Sequence, residues 1–173
     1  MSKFSRSKGQ RGERTVAKLL QEKLRCDVSR ELSASRDGGC DIKIQLDDIT
    51  YLIEVKFHTK VSQSIVNTWW EQALEQSKLQ EETYLNPVPV LIYKQTHWKK
   101  WECRIPWNHI MYALHSRCLK RPVHDDMAEF HVTMPIDILC LIMQANRLNT
   151  ISNGTITTTD NNDVDRKNLG IRA

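Results

Sequence analysis

The feature that most constrains this chain is a pair of alternating apolar runs punctuated by acids. After Gly38-Gly39-Cys40-Asp41, residues Ile42, Ile44 and Leu46 alternate with Lys43 and Gln45. Asp47-Asp48 interrupts, and the run to Phe57 then sets Tyr51, Ile53, Val55 and Phe57 on one side. Period-two patterning around a short polar break predicts a β-hairpin with one face on a core. Glu54 and Lys56, two residues apart, share the other face. A strand this apolar is a costly place for unpaired charge. One reading makes Glu54 and Lys56 solvated residues of an amphipathic strand; the other joins them with Asp41 in a site.

The residue types suit metal-assisted chemistry on a phosphodiester. A hard cation such as Mg2+, with Mn2+ as a substitute, is held by one or two carboxylates plus waters and phosphate oxygens, so Asp41 and Glu54 are candidate ligands. Such a cation lowers the pKa of a bound water and neutralises charge building on the attacked phosphate. Lys56 would orient the water or stabilise that charge. Upstream, the spacing of Val16, Ala17, Leu20 and Leu24 predicts a helix over 12–24 with Glu13 on its apolar stripe. Glu13 is either a residue favoured by the helix dipole near the N-terminus or a third site carboxylate.

Glu13 in a helix after Lys8-Gly9-Gln10-Arg11-Gly12, then Asp41, then Glu54-Val55-Lys56, resembles the PD-(D/E)XK nuclease superfamily, most closely the archaeal-type Holliday junction resolvases. The resemblance covers about residues 7–105. Cys40 stands where the superfamily name has Pro. It implies an α/β fold with a restriction-endonuclease-like core, a mixed central sheet flanked by helices. It also implies Mg2+-dependent hydrolysis and homodimers that cut branched DNA symmetrically during recombination, repair or replication. Carried over by residue, Glu13, Asp41 and Glu54 resemble the metal acids and Lys56 the catalytic lysine. Ser33 and Ser35 resemble substrate-contacting serines before the Asp. Gln72 is a candidate for holding water or phosphate, because relatives use a polar residue of that helix beside the site.

Charge agrees with a nucleic-acid partner. The chain has 173 residues and a net charge of +4, and residues 1–30 alone hold nine Lys or Arg against three acids. Lys8, Arg11 and Arg14 lie in this basic arm, which suits a phosphate backbone whose affinity is largely electrostatic. A merely solvated basic terminus is the plainer alternative. Five widely spread cysteines without a Cys-x-x-Cys exclude a disulfide scaffold or zinc ribbon and point to a reducing cytoplasmic setting, nucleoid-associated, in a cell or in the host of a virus. Met1 to Arg14 is too polar for a signal peptide. The longest nearly apolar run, Ile136 to Met143, is under half of the roughly twenty residues a membrane span needs. The six histidines lack metal-ligand spacing and read as isolated surface residues.

The remaining pattern predicts a helix over 64–82, strands over 88–93 and 97–105, a helix over 106–119 begun by Pro106, a short strand at 130–133 and a helix over 135–148. Trp69 and Trp70 are adjacent, so one is expected in the core and the other at a partner or DNA. Lys94, Lys99 and Lys100 could line a backbone groove, and Arg117, Lys120 and Arg121 cluster at a helix end. The expected organisation is one nuclease domain over 1–148, with a core over 7–105 and a helical extension over 106–148, then a disordered tail over 149–173. Restriction-type, nicking or exonuclease enzymes of the same fold are rivals. A nuclease-fold DNA-binding protein without catalysis is another, and the intact acid and lysine set argues against it.

Overall fold

Strands β2 (Ile42–Leu46) and β3 (Ile49–His58) pair antiparallel from Ile42↔Ile53 to Leu46↔Ile49, so the predicted hairpin forms around Asp47-Asp48. Asp47 takes a left-handed φ of 52°, a conformation Asp tolerates in tight turns. The computed structural model describes residues 3–30, 39–115 and 130–154, with side chains over 7–30, 39–111 and 130–147. Ser33, Ser35, the Arg117, Lys120 and Arg121 cluster, and positions 155–173 lie outside the described residues.

The other elements in chain order are α1 (Lys3–Leu24), β1 (Ser29–Arg30), α2 (Gln63–Leu79, between β3 and β4), β4 (Pro87–Gln95), β5 (Glu102–Pro106), α3 (Trp107–His115), β6 (His131–Pro135) and α4 (Ile136–Gly154). The strands make one mixed sheet in the order β1-β2-β3-β4-β5-β6. Only β3 and β4 run parallel, in register from Thr50↔Pro87 to His58↔Gln95. Parallel neighbours need a crossover, and α2 supplies it. Pro89 is tolerated in β4 because β5 pairs only with Leu91 to Tyr93, leaving one side of the early residues without a ladder partner.

The two faces of the sheet are covered unequally. On one, Val16, Leu20 and Leu24 of α1, with Ile110 of α3 and Leu139 and Met143 of α4, pack on Ile42, Ile44, Tyr51, Ile53, Val55, Val90, Ile92, Cys103 and Ile105. On the other, among the described residues, α2 lays Val66, Trp69, Trp70 and Ala73 on Leu91 and Tyr93. Ser62 caps α2, its hydroxyl accepting from the Ile65 amide. Lys23 pairs with Asp137 at 2.8 Å, and Gln144 donates to the Lys23 carbonyl at 2.8 Å, tying α4 to the end of α1. Among the described residues no helix is long and apolar enough to cross a membrane.

Several expectations are corrected. The helix predicted over 12–24 starts at Lys3, so the basic arm is its first turns. Packing overrides the helix-weakening glycines there. A Cβ on Gly12 would lie 3.0 Å from Phe57 Cβ and 3.5 Å from Trp101 Cη2, so the missing side chain is what lets α1 approach β3. Trp69 and Trp70 are both buried: Trp69 reaches His58 and Tyr93 while Trp70 reaches His131, because the sheet is wide enough to receive both flanks of α2. Ile65, one residue before buried Val66, is exposed. Strand β5 begins at Glu102, a turn occupying the residues before it, and Pro106 ends that strand instead of opening α3. The last strand and helix are displaced toward the C-terminus, to His131–Pro135 and Ile136–Gly154. His109 is buried, not at the surface, hydrogen-bonded to the Tyr51 hydroxyl and to Asn146, each at 3.0 Å.

Candidate active site

The hairpin register builds the site. Ile42 faces Ile53, so extending the ladder by one residue sets Asp41 opposite Glu54, on the face that Lys56 also shares. Asp41 lies just before β2 and is anchored there, its Oδ2 accepting from the Val55 amide at 2.8 Å. Glu54 is only 7% exposed, and Lys56 Nζ donates to its Oε1 at 2.5 Å. Three of the four residues expected at the centre, Asp41, Glu54 and Lys56, are therefore brought together by one hairpin.

Electrostatics sets these carboxylates apart from ordinary surface acids. Burial, then the negative charge of Glu54, raises the Asp41 pKa from 3.8 to about 7; Glu13 adds to the rise, while the Val55 amide and Lys56 oppose it. Two like charges in a half-dry site destabilise each other, which is the condition a divalent cation relieves. One or two carboxylates with remaining positions for water and phosphate fit Mg2+, and Asp41 with Glu54 is such a set. Among the described residues no group of three or more His, Cys, Asp or Glu side chains is gathered closely enough to hold a metal. Glu13 sits on α1 near enough for its charge to reach Asp41, and its Oε2 is 2.8 Å from Arg30 Nη2.

The candidate nucleic-acid contacts are dispersed. Lys8 donates to Thr59 Oγ1 at 3.1 Å and Thr96 Oγ1 at 2.7 Å and lies 4.8 Å from the centre of the Phe57 ring. Arg11 and Arg14 are exposed on α1. Gln72 is exposed, since α2 turns Val66, Trp69, Trp70 and Ala73 to the sheet. Lys94 donates to the Lys99 carbonyl at 3.3 Å, and Lys100 lies 3.9 Å from Asp137.

Two charged residues escaped the sequence reading. Arg30, the partner of Glu13, belongs to a two-residue strand too short to show a period. Arg104 is 1% exposed, with Nη1 donating to Asn67 Oδ1 at 2.9 Å and Nε to Thr133 Oγ1 at 3.3 Å. Its position between apolar Cys103 and Ile105 was the available signal.

A family model described as "Phage putative PDDEXK endonuclease" matches residues 4–130. Among solved structures, the chain is similar to Hjc of Archaeoglobus fulgidus, a Holliday junction resolvase from an archaeal hyperthermophile, at 18% identity and a TM-score of 0.38, over 56% of this chain and 70% of Hjc. A likeness that loose carries no argument about this chain. No curated protein sequence matches it.

Proposed function

The chain belongs to the phage PDDEXK endonuclease family, and from that premise we propose that it is a Mg2+-dependent endonuclease hydrolysing DNA phosphodiester bonds, with branched junctions as its substrate. The observation that carries this reading is the convergence of Asp41, buried Glu54 and Lys56 on one face of one hairpin.

In this proposal Asp41 and Glu54 hold the cation, and Glu13 is the third acid of the site. When bound, the cation supplies an acidified water and neutralises charge on the phosphate. Lys56 holds a positive charge against Glu54, beside the place where the phosphate gains negative charge as the water oxygen bonds to phosphorus and the ester P–O bond breaks. Lys8, Arg11 and Arg14 take phosphates on the α1 side, with Gln72, Ser33 and Ser35 as further candidate contacts. Paired cuts across a junction call for two copies, so the working form is a homodimer. Recombination or replication is the setting in which such junctions arise.

The test is to incubate the protein with a four-way junction, linear duplex and single strands, with Mg2+ or chelator. Mg2+-dependent cutting that favours the junction is expected, and Lys56→Ala should slow it by on the order of 100-fold or more. Preference for linear duplex or free ends would replace the junction part and leave the catalytic part standing. Cutting in chelator, or undiminished cutting by Lys56→Ala, would remove the catalytic part.

A further inference from the structure

Beyond the carboxylates, β3 continues in the same direction with a different chemistry. Glu54, Lys56 and His58 follow one another at two-residue spacing on one face, each about 6.7 Å from the next. At the outer end His58 is exposed, its ring 4.7 Å from that of Trp69. Lys8 of α1 reaches the same end, bonded to Thr59 and Thr96. The Thr96 hydroxyl in turn donates to the His58 carbonyl at 3.2 Å, and the Thr96 amide to the same oxygen at 2.9 Å. Three segments distant in sequence thus meet around one ammonium group.

That ammonium is not built as half of an ion pair. Lys8 has no acidic partner within salt-bridge distance among the described residues; its ammonium donates to two hydroxyls and lies 4.8 Å from the centre of the Phe57 ring, none of which carries a neutralising negative charge. No Asp or Glu occurs from Val55 to Trp70 or from Thr83 to Trp101, the two stretches that form this end of the sheet. Burial lowers the His58 pKa, and Lys56 and then Lys8 add to the effect, so the imidazole lies in the field of both lysines. A positive field, a fixed ammonium and an exposed imidazole suit an anion.

We propose that Lys8 and His58 form a second phosphate site, binding the phosphodiester next in line to the one cleaved on the same strand. Lys8 makes the ionic contact. His58 donates a neutral hydrogen bond, held in place by Trp69. The backbone of the bound strand then runs along β3 from the carboxylates past Lys56 to this end. This proposal rests on the nuclease reading for the identity of the cleaved phosphate, and its test is arranged so that the two can fail separately.

Binding is measured in an Asp41→Asn background, without cleavage, as a function of salt. Lys8→Met should reduce the slope of log affinity against log salt by about 0.9 for a duplex arm, the loss of one phosphate contact. Lys18→Met, at an exposed position paired with Glu22 on α1, should leave the slope unchanged. Replacing single phosphates by neutral methylphosphonates should weaken binding at the phosphate adjacent to the mapped cut, and that loss should vanish in Lys8→Met. If Lys8→Met fails to fold, Lys8→Gln keeps a donor for the threonines without the charge and takes its place. An unchanged slope, or a loss at every methylphosphonate position that persists in the Lys8 variant, overturns the proposal. Failure of the wild type to cut any DNA would instead sink the nuclease reading, while the salt slope and a methylphosphonate scan for one position whose effect disappears in Lys8→Met would still test the phosphate site by binding alone.

Discussion

The two faces of the sheet are made by the same strands and built for opposite purposes. Tyr51, Ile53 and Val55 of β3 enter a core covered by three helices, whereas the alternate residues Glu54 and Lys56 face the side that, among the described residues, α2 covers. A row across that second face runs Glu54, Leu91, Arg104 and Thr133 in neighbouring strands, so charge is held on an otherwise well-packed sheet. Stability resides on one face and chemistry on the other. The apolar face holds the strands in register, and the register gathers the charges on the other.

Neighbours on β3 give the strongest way to break that division. Ile53→Ala should lower unfolding free energy by about 2–5 kcal/mol in a urea titration, because Ile53 is fully buried and its deletion leaves a cavity. Glu54→Gln should abolish cleavage without a comparable loss, since it removes one of two repelling charges. Equal destabilisation by both would erase the distinction between the faces. Arg104→Ala comes next: it strips hydrogen bonds from Asn67 and Thr133 and should cost about 1–3 kcal/mol, while Arg104→Met, which fills the space without the charge, should recover much of it.

A smaller effect depends on pH. Asp41 titrates at about 7 in the folded chain against 3.8 ordinarily, so between those values the folded state holds a proton that the unfolded state has released. Stability therefore falls as pH rises through that window, and the cost is fully present above it. Asp41→Asn should flatten this part of the profile and be more stable than wild type above neutrality. A constant difference between the two profiles would show that Asp41 is not perturbed. The smallest effect belongs to the periphery: Asp137→Asn breaks the exposed pair with Lys23 and should leave the thermal midpoint unchanged.

Much of this architecture was legible because period-two alternation survives in isolation. The hairpin, its turn at Asp47 and the shared face of Glu54 and Lys56 all follow from it. What was not legible depended on tertiary surroundings. Sequence periodicity places the start of α1 only at Gly12 because Gly9 and Gly12 weaken a helix locally, yet Gly12 is there for Phe57 and Trp101. One of Trp69 and Trp70 is expected outward from the sequence because nothing in the helix repeat reveals the width of the sheet beneath it. Glu13 was read from its helix face alone, and its pairing with Arg30 comes from a strand of two residues.

Cleavage of a four-way junction by wild type and by Asp41→Asn in Mg2+, compared at matched folded concentration, shows whether the hairpin carboxylates take part in the reaction. Wild type should cut, and Asp41→Asn should lose activity by on the order of 100-fold or more, with its fold intact by circular dichroism. Equal cutting by the two proteins would contradict the assignment of the hairpin carboxylates to the reaction.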